Sequence, residues 1–192
     1  MAYSLRLMAK EKLSSITLEK MNRIDDKLIE KLYREYGTPE HVKKHCFGVT
    51  DCALKIAKAL NENGYELDLE LIYGAGMVHD MARTSDRHWD VAADKLEKLG
   101  FFEEADIVRV HMMPAEYSPI DEISEKDMVC LADRLVKEDE YVGIDERFDY
   151  IIDKARKNGM TDNTKIIENK AKMQRCLDEI EAKIGRKIDD LF

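Results

Sequence analysis

The chain contains five histidines, at positions 41, 45, 79, 88 and 111. One stands where ordinary solvation cannot account for it. The run Leu71-Ile-Tyr-Gly-Ala-Gly-Met-Val-His79-Asp80-Met81-Ala82 is the most apolar stretch of a chain otherwise dense in charge, yet it holds a His79-Asp80 doublet. A run apolar on every side predicts a buried helix. An ionised carboxylate in such surroundings is costly unless it is paired or bound to a metal. Adjacent helical residues point about 100° apart, so the two side chains would flank one site rather than stack along one face.

Further groups of ligand type fall inside apolar helical patterns: His45, His111 and Asp133, with His88 just after the central run. Imidazole nitrogens and carboxylate oxygens together suit Fe, Mn, Zn, Co or Ni rather than Ca or Mg alone. Each residue also has an ordinary reading. His45 fits a half-buried helix flank, and His88 a solvated position beside Trp89. His111 could serve the dipole at a helix C-terminus, and Asp133 could pair with Arg134 or a lysine. Only the doublet resists the ordinary reading unaided.

The elements that would position these groups are helical throughout. Helices are expected from about Thr17 to Tyr36 (face Ile24, Leu28, Leu32, Tyr36) and from a Thr38 N-cap with Pro39 in the first turn (face Val42, Cys46, Val49, Ala53, Ile56, Leu60). The central helix is capped by Asp68 and runs to near Arg83. Others follow from His88 to Leu99, from Phe101 to Met113, from a Ser124–Asp127 capping box through Val136, from about Asp145 to Asn158, and from Thr164 to Ile184. No convincing strand alternation is present, so the fold class is all-α. A length of 192 residues suits a single domain with a sizeable core.

Composition excludes several partners. Charged residues make up 37% and the net charge is −9, so bulk binding to nucleic acid or anionic membrane is not expected. No segment reaches the roughly 18 uninterrupted apolar residues of a membrane span. The N-terminal MAYSLRLMAKEKLSSI lacks the apolar core of a signal peptide. The four cysteines, at 46, 52, 130 and 176, show no metal-finger spacing and suit reduced thiols in a cytoplasmic protein.

The order of the ligand-type residues resembles the HD superfamily of metal-dependent phosphohydrolases. That pattern is a histidine, a His-Asp doublet on a buried helix, and a later aspartate. Here it is matched by His45 in HVKKHCFGV, His79-Asp80 in GMVHDMAR and Asp133 in CLADRLV. Many members add two histidines in between, and His88 in RHWDVAADKLEKLG and His111 in DIVRVHM fall where those are expected. The six-residue set is also similar to that of the symmetrical dinucleoside-tetraphosphate hydrolases of the superfamily. The resemblance covers about residues 38–148, an HD core flanked by helical extensions at 1–37 and 149–192.

The resemblance implies an HD-type helical bundle with the metal site between its central helices. It implies one ion on His45, His79, Asp80 and Asp133, and a second on His88 and His111 with Asp80 shared. It further implies a hydrolase that activates water at a nucleotide-like phosphoester or phosphoanhydride, with one or two divalent ions (Fe, Mn, Zn, Co or Ni) as cofactor and Asp80 at the catalytic centre. An acidic protein acting on a polyanion needs local cations. Arg83, one turn beyond Asp80, is the first candidate for catalysis and substrate binding, followed by Arg87 and Lys44. Tyr117, in the irregular loop from Met112 to Ile120, is a further substrate-binding candidate. His41 reads as a surface or outer residue, and Arg134 as a structural partner. Two other classes share the scaffold: di-iron oxygenases, and non-catalytic metal-bound modules in which the heptad-spaced terminal helix (Met173, Leu177, Ile180, Ile184) pairs with a second copy.

Overall fold

A computed structural model describes residues 23–113 and 116–192. The N-terminal stretch 1–22, with the expected helix start at Thr17, lies outside the described residues, as do Pro114 and Ala115 of the central loop. Among the described residues there are eight α-helices and one two-stranded hairpin, so the protein is all-α.

Helix α1 spans Asp26–Tyr36, opened by the Asp25 carboxylate accepting from the Leu28 N–H at 2.8 Å. It buries Ile29, Leu32 and Tyr33, while Leu28 and Tyr36 of the expected face are half-buried against the same cluster and Ile24 is buried from the extended segment that precedes the helix. Helix α2, Glu40–Asn61, buries all six residues expected of its apolar face. Its N-cap is Pro39, not Thr38. The Thr38 hydroxyl is buried and donates instead to the Met81 carbonyl at 2.7 Å.

Helix α3, Leu69–Val78, is capped by the Asp68 carboxylate, which accepts from the Glu70 and Leu71 N–H groups. It stops one residue before the doublet, short of the expected Arg83. The chain winds on through tighter i→i+3 bonds, Met81 N–H to Val78 O at 3.1 Å and Arg83 N–H to Asp80 O at 2.9 Å. Side chains take the carbonyls at the helix end. Gly76 O accepts from His79 Nδ1, Met77 O from the Tyr33 hydroxyl, and Met81 O from Thr38. Carbonyls satisfied in this way do not need a further helical turn.

Helix α4 spans His88–Leu99 and ends at Gly100, whose φ of 89° lies in the left-handed region. Helix α5 is Phe102–Val110, ending before His111. A 3-10 turn at Ile120–Glu122 leads to α6, Glu125–Asp133, where Asp127 completes the capping box with Ser124. The expected continuation of α6 through Val136 is corrected. Val136–Lys137 forms β1, pairing antiparallel with β2, Glu140–Tyr141. Leu135 and Val136 are core residues in either conformation, so an apolar pattern cannot mark the change. Helix α7 spans Gly143–Lys157 and α8 spans Thr164–Ile184.

The buried side chains form two clusters. One joins α2, α6, α8 and the start of α3; the other joins α1, α4, most of the buried face of α5 and the segment around Met81. Met173, Leu177 and Ile180 of α8 are buried in the first, so the heptad-spaced face packs against this chain's own core. All four cysteines are buried free thiols. Among the described residues no helix is long and apolar enough to cross a membrane.

Candidate metal centre

Five separate stretches of backbone bring His45, His79, Asp80, His88, His111 and Asp133 together. His45 comes from the first turns of α2, the doublet from the turns after α3, and His88 from the first residue of α4. His111 follows α5, and Asp133 ends α6. Two overlapping triads have ligand atoms within 4.8 Å of one another: His45, His79 and Asp80, and Asp80, His88 and His111. Asp133 closes the first, with Oδ1 at 3.1 Å from His45 Nε2 and 3.9 Å from His79 Nε2. Asp80 Oδ1 faces His88 Nε2 at 2.9 Å and His111 Nε2 at 3.4 Å.

Three of the rings are held by backbone. The Nδ1 atoms of His45, His79 and His111 lie 2.6, 2.7 and 2.7 Å from the carbonyls of Glu138, Gly76 and Val108. A carbonyl only accepts, so each Nδ1 carries the proton, and in the neutral ring the Nε2 lone pair is left to face the cluster. Such carbonyl contacts orient metal-ligating histidines generally. The Glu138 carbonyl reaches His45 from the β1–β2 turn, where Glu138 has φ +58°. Gly48 permits this approach. A Cβ there would lie 2.5 Å from the Asp139 carbonyl oxygen.

The centre is buried and electrostatically tense. His79 and His111 are at most 1% exposed, and Asp80 is 6% exposed. Burial alone would raise the Asp80 carboxyl, but His111, His88 and His79 outweigh it and hold it well below the usual carboxylate range. Asp133 is likewise lowered, against burial, by its contact with His45. That lowering draws on protonated imidazoles; where the rings are neutral, a bound cation would fill the same role beside both carboxylates. Nε2 of His79, Nε2 of His111 and Oδ1 of Asp80 nonetheless have no aligned hydrogen-bond partner. Three adjacent buried lone-pair atoms on imidazole and carboxylate make a donor set that fits a divalent transition ion.

A cleft of about 610 Å³ opens beside the cluster, lined in part by His45, Asp80, Arg83, Lys44 and His41. Arg83 lies 3.6 Å from Asp80 Oδ2 through Nε and 2.9 Å from His88 Nε2 through a terminal nitrogen. The tight turns after α3 put residues three apart on one side, which aims it there. Two candidates lie elsewhere. Arg87, in a left-handed conformation at φ +47°, is exposed, pairs with Asp90 at 2.5 Å, and is not among the residues lining the cleft. Tyr117 lines a separate cavity with Cys130 and Arg134, its hydroxyl buried among core groups. Arg134 ties the backbone around His111, donating to the carbonyls of His111 at 3.0 Å and Met113 at 2.7 Å. Sequence reasoning missed the cleft residues Lys137, Arg147, Tyr150 and Lys154, which come from the hairpin and α7. The helical spacing of the last three was legible, but nothing indicated that α7 folds back over the cleft.

This all-α fold, with its histidine–aspartate centre, belongs to the HD-domain family, whose model matches residues 42–138. The membership implies metal-dependent chemistry of the phosphohydrolase type. Among relatives, an uncharacterized protein of Methanocaldococcus jannaschii is 30% identical over 125 residues, covering 56% of this chain and 73% of that one. No solved structure matches the chain.

Proposed function

We propose that the protein is a metal-dependent phosphohydrolase acting on a nucleotide-like phosphoester or phosphoanhydride. One observation supports this above others: three buried, adjacent lone-pair atoms on His79, Asp80 and His111 lack aligned partners. Leaving such atoms desolvated costs about 1–3 kcal/mol each, a cost that bound cations would offset. His45, His79, Asp80 and Asp133 would hold one ion, and Asp80, His88 and His111 a second. When bound, such ions lower the pKa of water and neutralise charge on phosphoryl oxygens.

The chain's own residues supply the rest. The carbonyls of Glu138, Gly76 and Val108 keep three imidazoles in the tautomer that faces the centre. Asp80 and Asp133 supply the carboxylate oxygens on which the ions would rest. Arg83 presents a planar fork of donors at the mouth of the centre, able to grip a phosphoryl group in bidentate fashion. Lys44, exposed on the cleft wall, adds positive charge for a polyanion.

The test is metal analysis of protein purified without chelator, followed by a phosphate-release screen over nucleotides and dinucleoside polyphosphates. Wild type should carry a transition metal and release phosphate, and Asp80→Ala should lose both. Iron- and oxygen-dependent turnover without phosphate release would move the reading to oxygenase chemistry. Wild-type protein unable to bind metal would refute it.

A further inference from the structure

The cleft continues beyond the histidine cluster to a wall formed by Lys137 of β1 and by Arg147, Tyr150 and Lys154 of α7. The α7 residues stand at i, i+3 and i+7, on one helical face. The Tyr150 ring lies beneath two cations, with Lys137 Nζ 5.4 Å and Arg147 Cζ 5.7 Å from its centroid. Tyr150 is 40% exposed, so the ring still presents open surface.

The charge pattern of α7 is the telling feature. The helix carries four carboxylates, at Asp145, Glu146, Asp149 and Asp153. Asp145 pairs with Lys170 at 2.7 Å, Glu146 with Lys137 at 3.0 Å and Asp153 with Arg156 at 3.8 Å. Arg147 and Lys154 take none of them and make no ion pair among the described residues. Arg147 Nε is buried without an acceptor. In a chain of net charge −9, two cations facing a cleft without a carboxylate partner lack an anion. Counted over the whole cleft, Lys44, Arg83, Lys137, Arg147 and Lys154 stand against Asp80, Glu138 and Asp139.

We propose that Arg147 and Lys154, with Lys137 and the Tyr150 ring, bind a second phosphoryl group of the substrate, remote from the one that faces the histidine cluster. The substrate class is then a nucleotide-like molecule carrying two separated phosphates or a polyphosphate chain. A cleft of about 610 Å³ is of a size to hold such a molecule. The inference deepens the phosphohydrolase reading and rests on it for the first of two tests.

In the first, phosphate release is measured on adenosine 5′-monophosphate and adenosine 3′,5′-bisphosphate. Wild type should show a KM for the bisphosphate at least tenfold lower. Arg147→Gln should raise that KM tenfold or more and bring the ratio of the two towards one, with melting temperature unchanged. The exposed Lys154→Gln should act in the same direction without touching the core. Equal KM values in wild type, or a ratio that survives both substitutions, overturns the inference. The second test needs no turnover. Calorimetric titration of the full chain with inorganic tripolyphosphate should show binding that both variants weaken tenfold or more. Binding lost in the variants, in a protein that releases no phosphate from any nucleotide, sinks the hydrolase reading and keeps the subsite. Binding that is absent in wild type, or unchanged in both variants, sinks the subsite.

Discussion

Gly48 offers a test in which two physical arguments predict opposite signs. It sits in the middle of α2, where glycine is less favourable than alanine by about 1 kcal/mol. On helix propensity alone, Gly48→Ala should stabilise the protein by that amount. The structure predicts otherwise. The added Cβ would lie 2.5 Å from the Asp139 carbonyl oxygen, 2.9 Å from its carbonyl carbon and 3.0 Å from its Cα, and ordinary contact begins at 3.4 Å. These are backbone atoms of the hairpin turn, which cannot rotate away as a side chain can. The turn must recede by about 0.9 Å to relieve the closest contact. Overpacking of this kind costs about 1–3 kcal/mol. The same movement would stretch the His45 Nδ1 to Glu138 carbonyl bond from 2.6 Å towards the limit of a hydrogen bond, a further loss of about 1 kcal/mol. Net of the propensity gain, the variant should be less stable by about 1–3 kcal/mol. At about 2–4 °C per kcal/mol for a chain of this size, its melting temperature should fall by roughly 2–12 °C. Freed from its carbonyl, the His45 ring should also bind metal more weakly. Differential scanning calorimetry with metal analysis reads both effects. A melting temperature that rises, with metal content unaltered, would refute the argument that the hairpin turn is pressed onto α2 to orient His45.

Other outcomes follow from the same geometry. His88→Ala and His111→Ala should each lose about half of the bound metal while keeping the helical circular-dichroism signal; retention of all metal in both would remove the second set of residues. Arg83→Lys should leave metal content and melting temperature nearly unchanged but lower kcat/KM for a phosphorylated substrate tenfold or more, about 1.4 kcal/mol; a fall in melting temperature without a fall in rate would take Arg83 out of the site. Asp68 gives a pH dependence. Burial, which would raise its carboxyl, is outweighed by the Leu71 N–H and Arg23, so its pKa is lowered in the folded protein. Its contribution is therefore complete above the ordinary carboxylate pKa of about 4 and is lost as pH falls through the lower folded value. Asp68 is 40% exposed at its side chain, so solvent screening keeps the effect small. Asp68→Asn should cost less than about 1 kcal/mol at pH 7 and narrow its melting-temperature deficit on acidification below about pH 4. A deficit that stays constant with pH would show that the carboxylate charge is not involved.

The helices were legible because their signals are local. The apolar stripe of α2, the Asp68 cap, the Ser124–Asp127 box, and Gly37 and Gly100 at helix ends all stand within a few residues of what they control. The histidine–aspartate cluster drew notice because charge inside the apolar run around His79 is costly wherever the chain goes. What stayed hidden depends on partners distant in sequence. The end of α3 at Val78 is set by side chains of Tyr33 and Thr38, more than forty residues away. The hairpin after α6 hides behind Leu135 and Val136, which a helix would bury as well. Arg87 stood beside a ligand-type residue in sequence, but its left-handed backbone turns it towards Asp90. Arg147 and Lys154 drew no notice because nothing local ties α7 to a cleft begun a hundred residues earlier.

The two apolar clusters divide the candidate ligands between them. His45 and Asp133 are carried by elements rooted in the first cluster, His88 and His111 by elements rooted in the second, and His79-Asp80 lies between Val78 and Met81, at the second cluster's edge. The centre is thus a polar seam between two separately packed bodies, and Asp80 is the residue common to both triads. Packed bodies of this kind open as cooperative units with their own free energies. Opening of the body built on α1, α4 and α5 would scatter one triad and leave His45 and Asp133 in register. Hydrogen exchange should then separate into two protection classes, one for α1, α4 and α5 and one for α2, α6 and α8, and added metal should slow exchange in both, because ions at the seam would couple the two openings.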